Sequence, residues 1–313
     1  MGVAFSAFID QTFPPKPKWG VADIPDLTGK VVIVTGGNAG IGRETVKALL
    51  TKNAKVYVAA RNRGKTLPVI DELKKETGNE ALFLSLDLAD LKKVKASAEE
   101  FLRKEKKLHI LFNNAGILAP PIEQVTAQGF DLQFGVNVIG HWYFTELLMP
   151  ALLTVAKEEP GQKARVVTTS SYAVYLDTIH WDMIEDTPQR RKAGPDTTLY
   201  FQSKHANAVV STESARRYGN QGIVFISVNP GNITSGLQGT MTLITKFFIS
   251  MILYPTPFGA LTQLYAGTDP HALDLNGAFL IPWARVGKPH KAVLDPAVGK
   301  KLWEWLEDHT KDI

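Results

Sequence analysis

Val31–Val34 (VVIV) runs straight into Thr35-Gly36-Gly37-Asn38-Ala39-Gly40-Ile41-Gly42 (TGGNAGIG), and helical periodicity follows over Ile41–Lys52. Four consecutive β-branched residues suit a strand buried on both faces, as a parallel sheet requires. Gly36 allows a tight turn out of that strand. A side chain at Gly40 would block a diphosphate, and a bare Gly42 lets the helix lie close to the sheet. The helix start then offers free amide hydrogens to phosphate oxygens. The spacing is not G-x-G-x-x-G, because Asn38 stands at the second glycine position, and a glycine cluster alone can be a plain turn. Its place between a first buried strand and a helix favours the dinucleotide reading.

The same alternation continues outward. Further strand candidates are Val56–Ala59, Leu82–Leu86, His109–Phe112, Arg165–Thr168, Ile223–Val228 and Ala278–Ile281. Helical patterns fall at Thr66–Glu76, Leu91–Lys104, Phe134–Ala156 and Leu199–Tyr218. Strand and helix in alternation predict a Rossmann-type, doubly wound α/β fold. The expected architecture is a seven-stranded parallel sheet in a three-layer sandwich, one domain over 1–313. Ligands in such sheets sit beyond the carboxyl ends of the strands. The first residues, 1–28, read as an arm, and the prolines of Phe13–Trp19 exclude a helix there.

Composition narrows the function classes. Of 313 residues, 44% are hydrophobic and 21% charged, which excludes a disordered or fibrous chain. The absence of cysteine removes disulfides, thiol nucleophiles and thiolate metal sites. Net charge is +4, and the basic runs Lys104–Lys107 and Gln189–Lys192 are short enough to read as solvated surface, so no nucleic-acid partner is expected. The seven histidines show no metal-ligand spacing. No apolar run reaches 18 residues, so no transmembrane segment is expected. Met241–Tyr254 is a shorter apolar stretch, and the start fits a loose myristoylation pattern. A cytoplasmic protein, with membrane-surface contact allowed, is the resulting expectation.

Chemistry-bearing residues gather at the strand ends. Arg61 follows the second strand, where an acidic residue would hold an adenosine ribose; its guanidinium instead suits a 2′-phosphate, pointing to NADP(H). Asn62 adjoins it, and Arg43 can reach the same region or serve as a surface cation. Asp87-Leu88 follows the third strand, its carboxylate suited to an adenine amino group or equally to a helix N-cap. The fourth strand ends Asn113-Asn114-Ala115-Gly116, small enough for a cofactor to cross and with an amide to lock the loop. Tyr200 and Lys204 stand four apart on one helix face, where the ammonium should lower the phenol pKa. Ser170-Ser171 ends the fifth strand and can donate to a carbonyl oxygen or cap the next turn. Asn137 lies mid-helix, which calls for a bound water, local unwinding or a satisfied core position. Asn229-Pro230-Gly231-Asn232-Ile233-Thr234-Ser235 turns out of the sixth strand, with amides and hydroxyls for a nicotinamide carboxamide.

In this order these residues resemble the short-chain dehydrogenase/reductase family, from about Leu27 to Trp283. TGGNAGIG looks like its TGxxxGxG element, NNAG matches its second signature, and NPGNITS looks like its PGxxxT element with Ser235 at the threonine position. The resemblance implies a catalytic set of Asn137, Ser171, Tyr200 and Lys204, with Asn137 holding a water that links Lys204 to solvent. It implies cofactor contacts from Gly36, Asn38, Gly40, Ile41, Gly42, Arg61, Asn62, Asp87, Leu88, Asn114, Ala115, Gly116, Tyr200, Lys204, Pro230, Gly231, Ile233 and Ser235. GIGRET with AARN resembles the retinol-dehydrogenase-like and protochlorophyllide-reductase-like branches, as does the long Ser171–Tyr200 separation. The residues 172–198 and 236–258 are expected to wall and cover a substrate pocket. The expected activity is NADP(H)-dependent interconversion of a lipophilic alcohol and its ketone or aldehyde. Reduction of a carbon–carbon double bond and a non-catalytic NADP-binding scaffold are the alternatives, and either a homodimer or a monomer is allowed.

Overall fold

The computed structural model describes residues 2–193, 197–233 and 253–313. In chain order its main elements are α1 (Gly2–Thr12), β1 (Val31–Thr35), α2 (Gly40–Thr51), β2 (Lys55–Ala60), α3 (Arg63–Thr77), β3 (Leu82–Ser85), α4 (Leu91–Lys104) and β4 (Ile110–Asn113). They continue with α5 (Leu132–Phe134), a π-helical turn (Gly135–Ile139), α6 (Gly140–Glu158), β5 (Ala164–Thr169), α7 (Pro188–Lys192), α8 (Thr198–Tyr218) and β6 (Ile223–Val228). The chain closes with α9 (Thr256–Thr268), β7 (Phe279–Ile281), β8 (Arg285–Gly287) and α10 (Pro296–Thr310).

One sheet runs β3-β2-β1-β4-β5-β6-β7-β8, parallel throughout except for β8, which pairs antiparallel with β7. Successive residues of β1 face opposite layers. Val31 and Ile33 pack with Leu111, Phe144 and Leu148, whereas Val32 and Val34 pack with Leu49, Phe112 and Leu264. Helices therefore cover both faces, which is why these strands read as continuous apolar runs. Strand order reverses between β1 and β4, and the crevice at that point takes ligands in this class of sheet.

Two expectations about the fold need correction. The sheet has eight strands, not seven: β8 is three residues long with Val286 61% exposed, so it offers no buried apolar run to recognise. Within the arm, residues 2–12 form a helix, for which the sequence sets no expectation, and the proline-bearing Phe13–Trp19 stretch is non-helical, as expected. The basic run at Gln189–Lys192 is not all solvated, because Arg190 is 1% exposed and paired with Asp131 at 3.0 Å and Asp186 at 2.9 Å. The helical run Leu132–Glu158 is long enough to cross a bilayer and holds an 18-residue window of mean hydropathy 1.2. Yet 72% of that window is buried inside the protein, as befits a core helix, so it does not overturn the expectation of no transmembrane segment. Ser235, and the expected cover at 236–258 as far as residue 252, lie outside the described residues.

Candidate active site

The turn after β1 is built by its glycines. Gly36 and Gly40 adopt φ of +65° and +53°, the left-handed region that glycine enters without strain. A Cβ on Gly42 would fall 2.3 Å from the Gly36 carbonyl oxygen and 2.7 Å from Asn114 Nδ2, so the close start of α2 requires its absence. A Cβ on Gly40 would meet nothing within 4 Å. Ala39 precedes α2 without a side-chain cap, leaving first-turn amides available to an anion above this open space. Asn38 and Ile41 flank the turn, half-buried.

A hydrogen-bond lattice ties this turn to the end of β4. Thr35 Oγ1 accepts from the Asn114 and Ala115 amides, both at 2.9 Å, and Asn114 Nδ2 donates to the Thr35 carbonyl at 2.9 Å. The loop lock expected of an asparagine here is thus made by Asn114. His141 Nδ1 must donate to the Asn137 carbonyl at 3.1 Å, so its Nε2 accepts from the Thr35 hydroxyl at 2.9 Å. Burial holds His141 down at about 4, in keeping with a neutral ring. Neither Thr35 nor His141 was singled out as a site residue; the polar residue buried at a strand end was the available signal.

At the other end of the crevice, Arg61 is exposed beyond β2 and has no ion pair or hydrogen bond among the described residues. Arg43 differs: it meets Glu76 at 2.5 Å and Glu72 at 3.5 Å, tying α2 to α3. Asn62 caps α3 by accepting from the Lys65 amide at 3.0 Å. The N-cap of α4 is Asp90, so the capping alternative for Asp87 is not realised. Asp87 instead accepts from the Ala89 amide at 3.2 Å and pairs with Lys93 at 3.3 Å, while Leu88 is buried.

The proton-handling residues converge from β5, α8 and the π turn. Ser171 bonds to the Tyr200 phenol and also accepts from the Ala173 amide at 3.2 Å, the turn cap foreseen as one of its alternatives. Ser170 turns away and donates to the Lys204 carbonyl at 2.7 Å. Lys204 Nζ donates to the Thr169 carbonyl at 2.9 Å and lies 5.8 Å from the Tyr200 ring centre. The expected depression of the phenol pKa is not what the surroundings produce. Burial pushes Tyr200 up to about 12, with Ser171 opposing it, and the same burial pulls Lys204 down to about 8.

Asn137 sits at the centre of the π turn, and such local unwinding was one of the reasons foreseen for a mid-helix asparagine. Its side chain accepts from the Ile117 amide at 2.9 Å and donates to the Ile117 carbonyl and to Ser203 Oγ at 3.1 and 3.0 Å. A Cβ on Gly116 would lie 3.3 Å from Asn137 Oδ1 and 3.4 Å from Lys204 Nζ, so the β4 loop, the π turn and α8 meet at this glycine. After β6, Gly231 takes φ +86° against Pro282 and Trp283, next to Pro230. Ile233 and Ile41 both crowd Gly259 of α9, joining this turn to the glycine turn of β1.

The profile of the short chain dehydrogenase family matches residues 30–183. A short-chain dehydrogenase/reductase of Armillaria gallica is 59% identical over 313 residues, spanning 100% of each chain. The chain belongs to the short-chain dehydrogenase/reductase family. Solved structures similar to this dehydrogenase/reductase include a Mycobacterium paratuberculosis protein with 28% identity and a TM-score of 0.72, covering 94% of this chain and 97% of that one. The 3-ketoacyl-(acyl-carrier-protein) reductase of Brucella melitensis complexed with NADH has 25% identity and a TM-score of 0.64, covering 82% and 96%. This short-chain dehydrogenase/reductase is accordingly an oxidoreductase that works with a nicotinamide cofactor.

Proposed function

We propose that the enzyme uses NADP(H) to interconvert a lipophilic alcohol and its ketone or aldehyde. The observation that carries this reading is the Ser171–Tyr200 hydrogen bond beside Lys204, on the crevice headed by the glycine turn. Bound NADPH supplies the hydride. Tyr200 gives the substrate oxygen its proton in reduction and takes it back in oxidation. Ser171 steadies that oxygen, adding a second donor where charge develops. Lys204 would hold the nicotinamide ribose, and Asn137 would hold a water joining Lys204 to solvent.

The residues present suit the cofactor. The uncapped first turn of α2 offers amides at Gly40, Ile41 and Gly42 for a diphosphate, with open space at Gly40 and with Gly36 and Asn38 shaping the turn. The unengaged Arg61 suits a 2′-phosphate; an exposed guanidinium with no protein carboxylate keeps its paired donors for a ligand. Asn62 and Asp87 border the adenosine end. Asn114, Ala115, Gly116, Pro230, Gly231 and Ile233 border the nicotinamide end. The apolar residues of 236–258 support a lipophilic substrate, and GIGRET with AARN, which contains Arg61, resembles the NADP-preferring branches of the family.

A panel of long-chain and aromatic aldehydes and ketones, followed by NADPH absorbance with product analysis, tests the reading. Cofactor consumption with alcohol formation is expected. NADPH binding without consumption across the panel would favour a scaffold, and a reduced carbon–carbon bond in an unsaturated substrate would favour that chemistry instead.

A further inference from the structure

The N-terminal helix lies across the segments that leave three adjacent strands at their carboxyl ends. Phe8 stands edge-on to Tyr172, which follows Ser171, with ring centres 5.6 Å apart. Thr12 accepts from Asn232, beyond β6, at 3.3 Å. Asp10 pairs with Arg285 of β8 at 2.8 Å. At the middle of these contacts is Gln11, a polar side chain only 4% exposed.

The orientation of Gln11 is fixed by a backbone group. The Gly231 amide donates to Asn229 Oδ1 at 3.0 Å, so Asn229 must present Nδ2 on its other side. That Nδ2 donates to Gln11 Oε1 at 2.7 Å. Gln11 Nε2 then donates to the Tyr175 hydroxyl at 3.1 Å, which donates in turn to the Lys288 carbonyl at 2.7 Å. Each member of the chain gives and receives in one direction, and each is needed to satisfy the next. Gln11 thereby joins the Asn229–Gly231 turn to the segment behind Ser171.

We infer that Gln11 is a positioning residue for the nicotinamide half of the site, holding the Pro230-Gly231 turn and the Tyr172–Tyr175 wall at a fixed separation. The inference rests on the nicotinamide reading above. Among the described residues Gln11 bonds to Asn229 and Tyr175 and to none near Arg61 or α3, so its influence should stop short of the adenosine half.

Two probes separate the halves: NADPH, and 2′-phospho-ADP-ribose, the same molecule without its nicotinamide. Binding of both to the full chain is measured for wild type, Gln11→Met and Gln11→Glu. Gln11→Met keeps length but removes both hydrogen bonds. It is expected to weaken NADPH about fivefold or more while changing 2′-phospho-ADP-ribose less than about twofold, the scale of losing buried hydrogen bonds. Gln11→Glu keeps an acceptor for Asn229 and lets the Tyr175 hydroxyl turn toward it, and should restore NADPH affinity to within about threefold of wild type. Equal weakening of both probes, or no weakening of NADPH, would overturn the inference. Wild-type protein that binds neither probe would overturn the nicotinamide reading and this inference together. Binding of 2′-phospho-ADP-ribose, unaltered NADPH affinity in Gln11→Met and normal carbonyl reduction would overturn the inference alone.

Discussion

Ser170 and Ser171 are neighbours in sequence and point apart: Ser170 Oγ donates to the Lys204 carbonyl at 2.7 Å, while the Ser171 hydroxyl bonds to the Tyr200 phenol. The divergence follows from the extended backbone leaving β5, where successive side chains take opposite faces. One serine braces the helix that carries the tyrosine. The other stands in reach of whatever oxygen the tyrosine meets.

The two alanine variants should therefore fail differently. Ser171→Ala is expected to lower kcat by about two to three orders of magnitude with little loss of stability. Ser170→Ala should cost about 1 kcal/mol of stability, read by denaturant titration, and leave most of kcat. The reverse pattern would contradict the assignment of the two hydroxyls.

Lysine ionisation should appear in the pH profile. With Lys204 at about 8 and Tyr200 at about 12, carbonyl reduction needs both groups protonated, so kcat should fall as pH rises through about 8. Lys204→Arg keeps its charge at any accessible pH and should lose that limb, whatever its absolute rate. Stability has a matching sign: unfolded Lys204 holds its proton to a higher pH than the folded residue, so this group makes the protein more stable as pH rises above about 8.

Arg61 and Arg43 should separate in cofactor binding. Arg61→Asp is expected to weaken NADPH about tenfold or more and to leave NADH nearly unchanged or improved. Arg43→Ala, which removes the tie to Glu72 and Glu76, should mainly lower Tm. Equal NADPH and NADH affinities, unaltered by Arg61→Asp, would rule out the 2′-phosphate contact.

Away from the crevice, burial pushes Glu146 up to about 7, though the Tyr218 hydroxyl donates to one of its oxygens at 2.7 Å. A raised folded pKa means the native state keeps a proton that the unfolded chain releases. Wild-type stability should then fall relative to Glu146→Gln as pH climbs from about 4.5 to about 7. Thermal melts at pH 5 and pH 8 read this directly; a variant no more stable at pH 8, relative to wild type, than at pH 5 would contradict it.

Local sequence carried the layers and most of the crevice. VVIV followed by TGGNAGIG discloses a buried strand, a glycine turn and a helix start without help from the rest of the chain, because each feature is set by neighbours in sequence. Gln11 was invisible for the opposite reason: its partner Asn229 is 218 positions away, and nothing in GVAFSAFIDQT marks a glutamine as buried. β8 escaped because three residues, none of them buried, carry no period. Arg190 escaped because only the fold brings Asp131 to it. The Tyr200–Lys204 spacing was read correctly as a shared face, yet the direction of the phenol shift was not. An i,i+4 pair reveals who is adjacent, while burial, which dominates both residues here, is a property of the assembled α8.

Tyr200→Phe tests the central claim most directly, with turnover and NADPH affinity measured on the same preparation. Loss of one hydroxyl should lower kcat at least about a hundredfold while leaving NADPH binding within about threefold of wild type. Turnover at the wild-type rate in that variant would contradict the account.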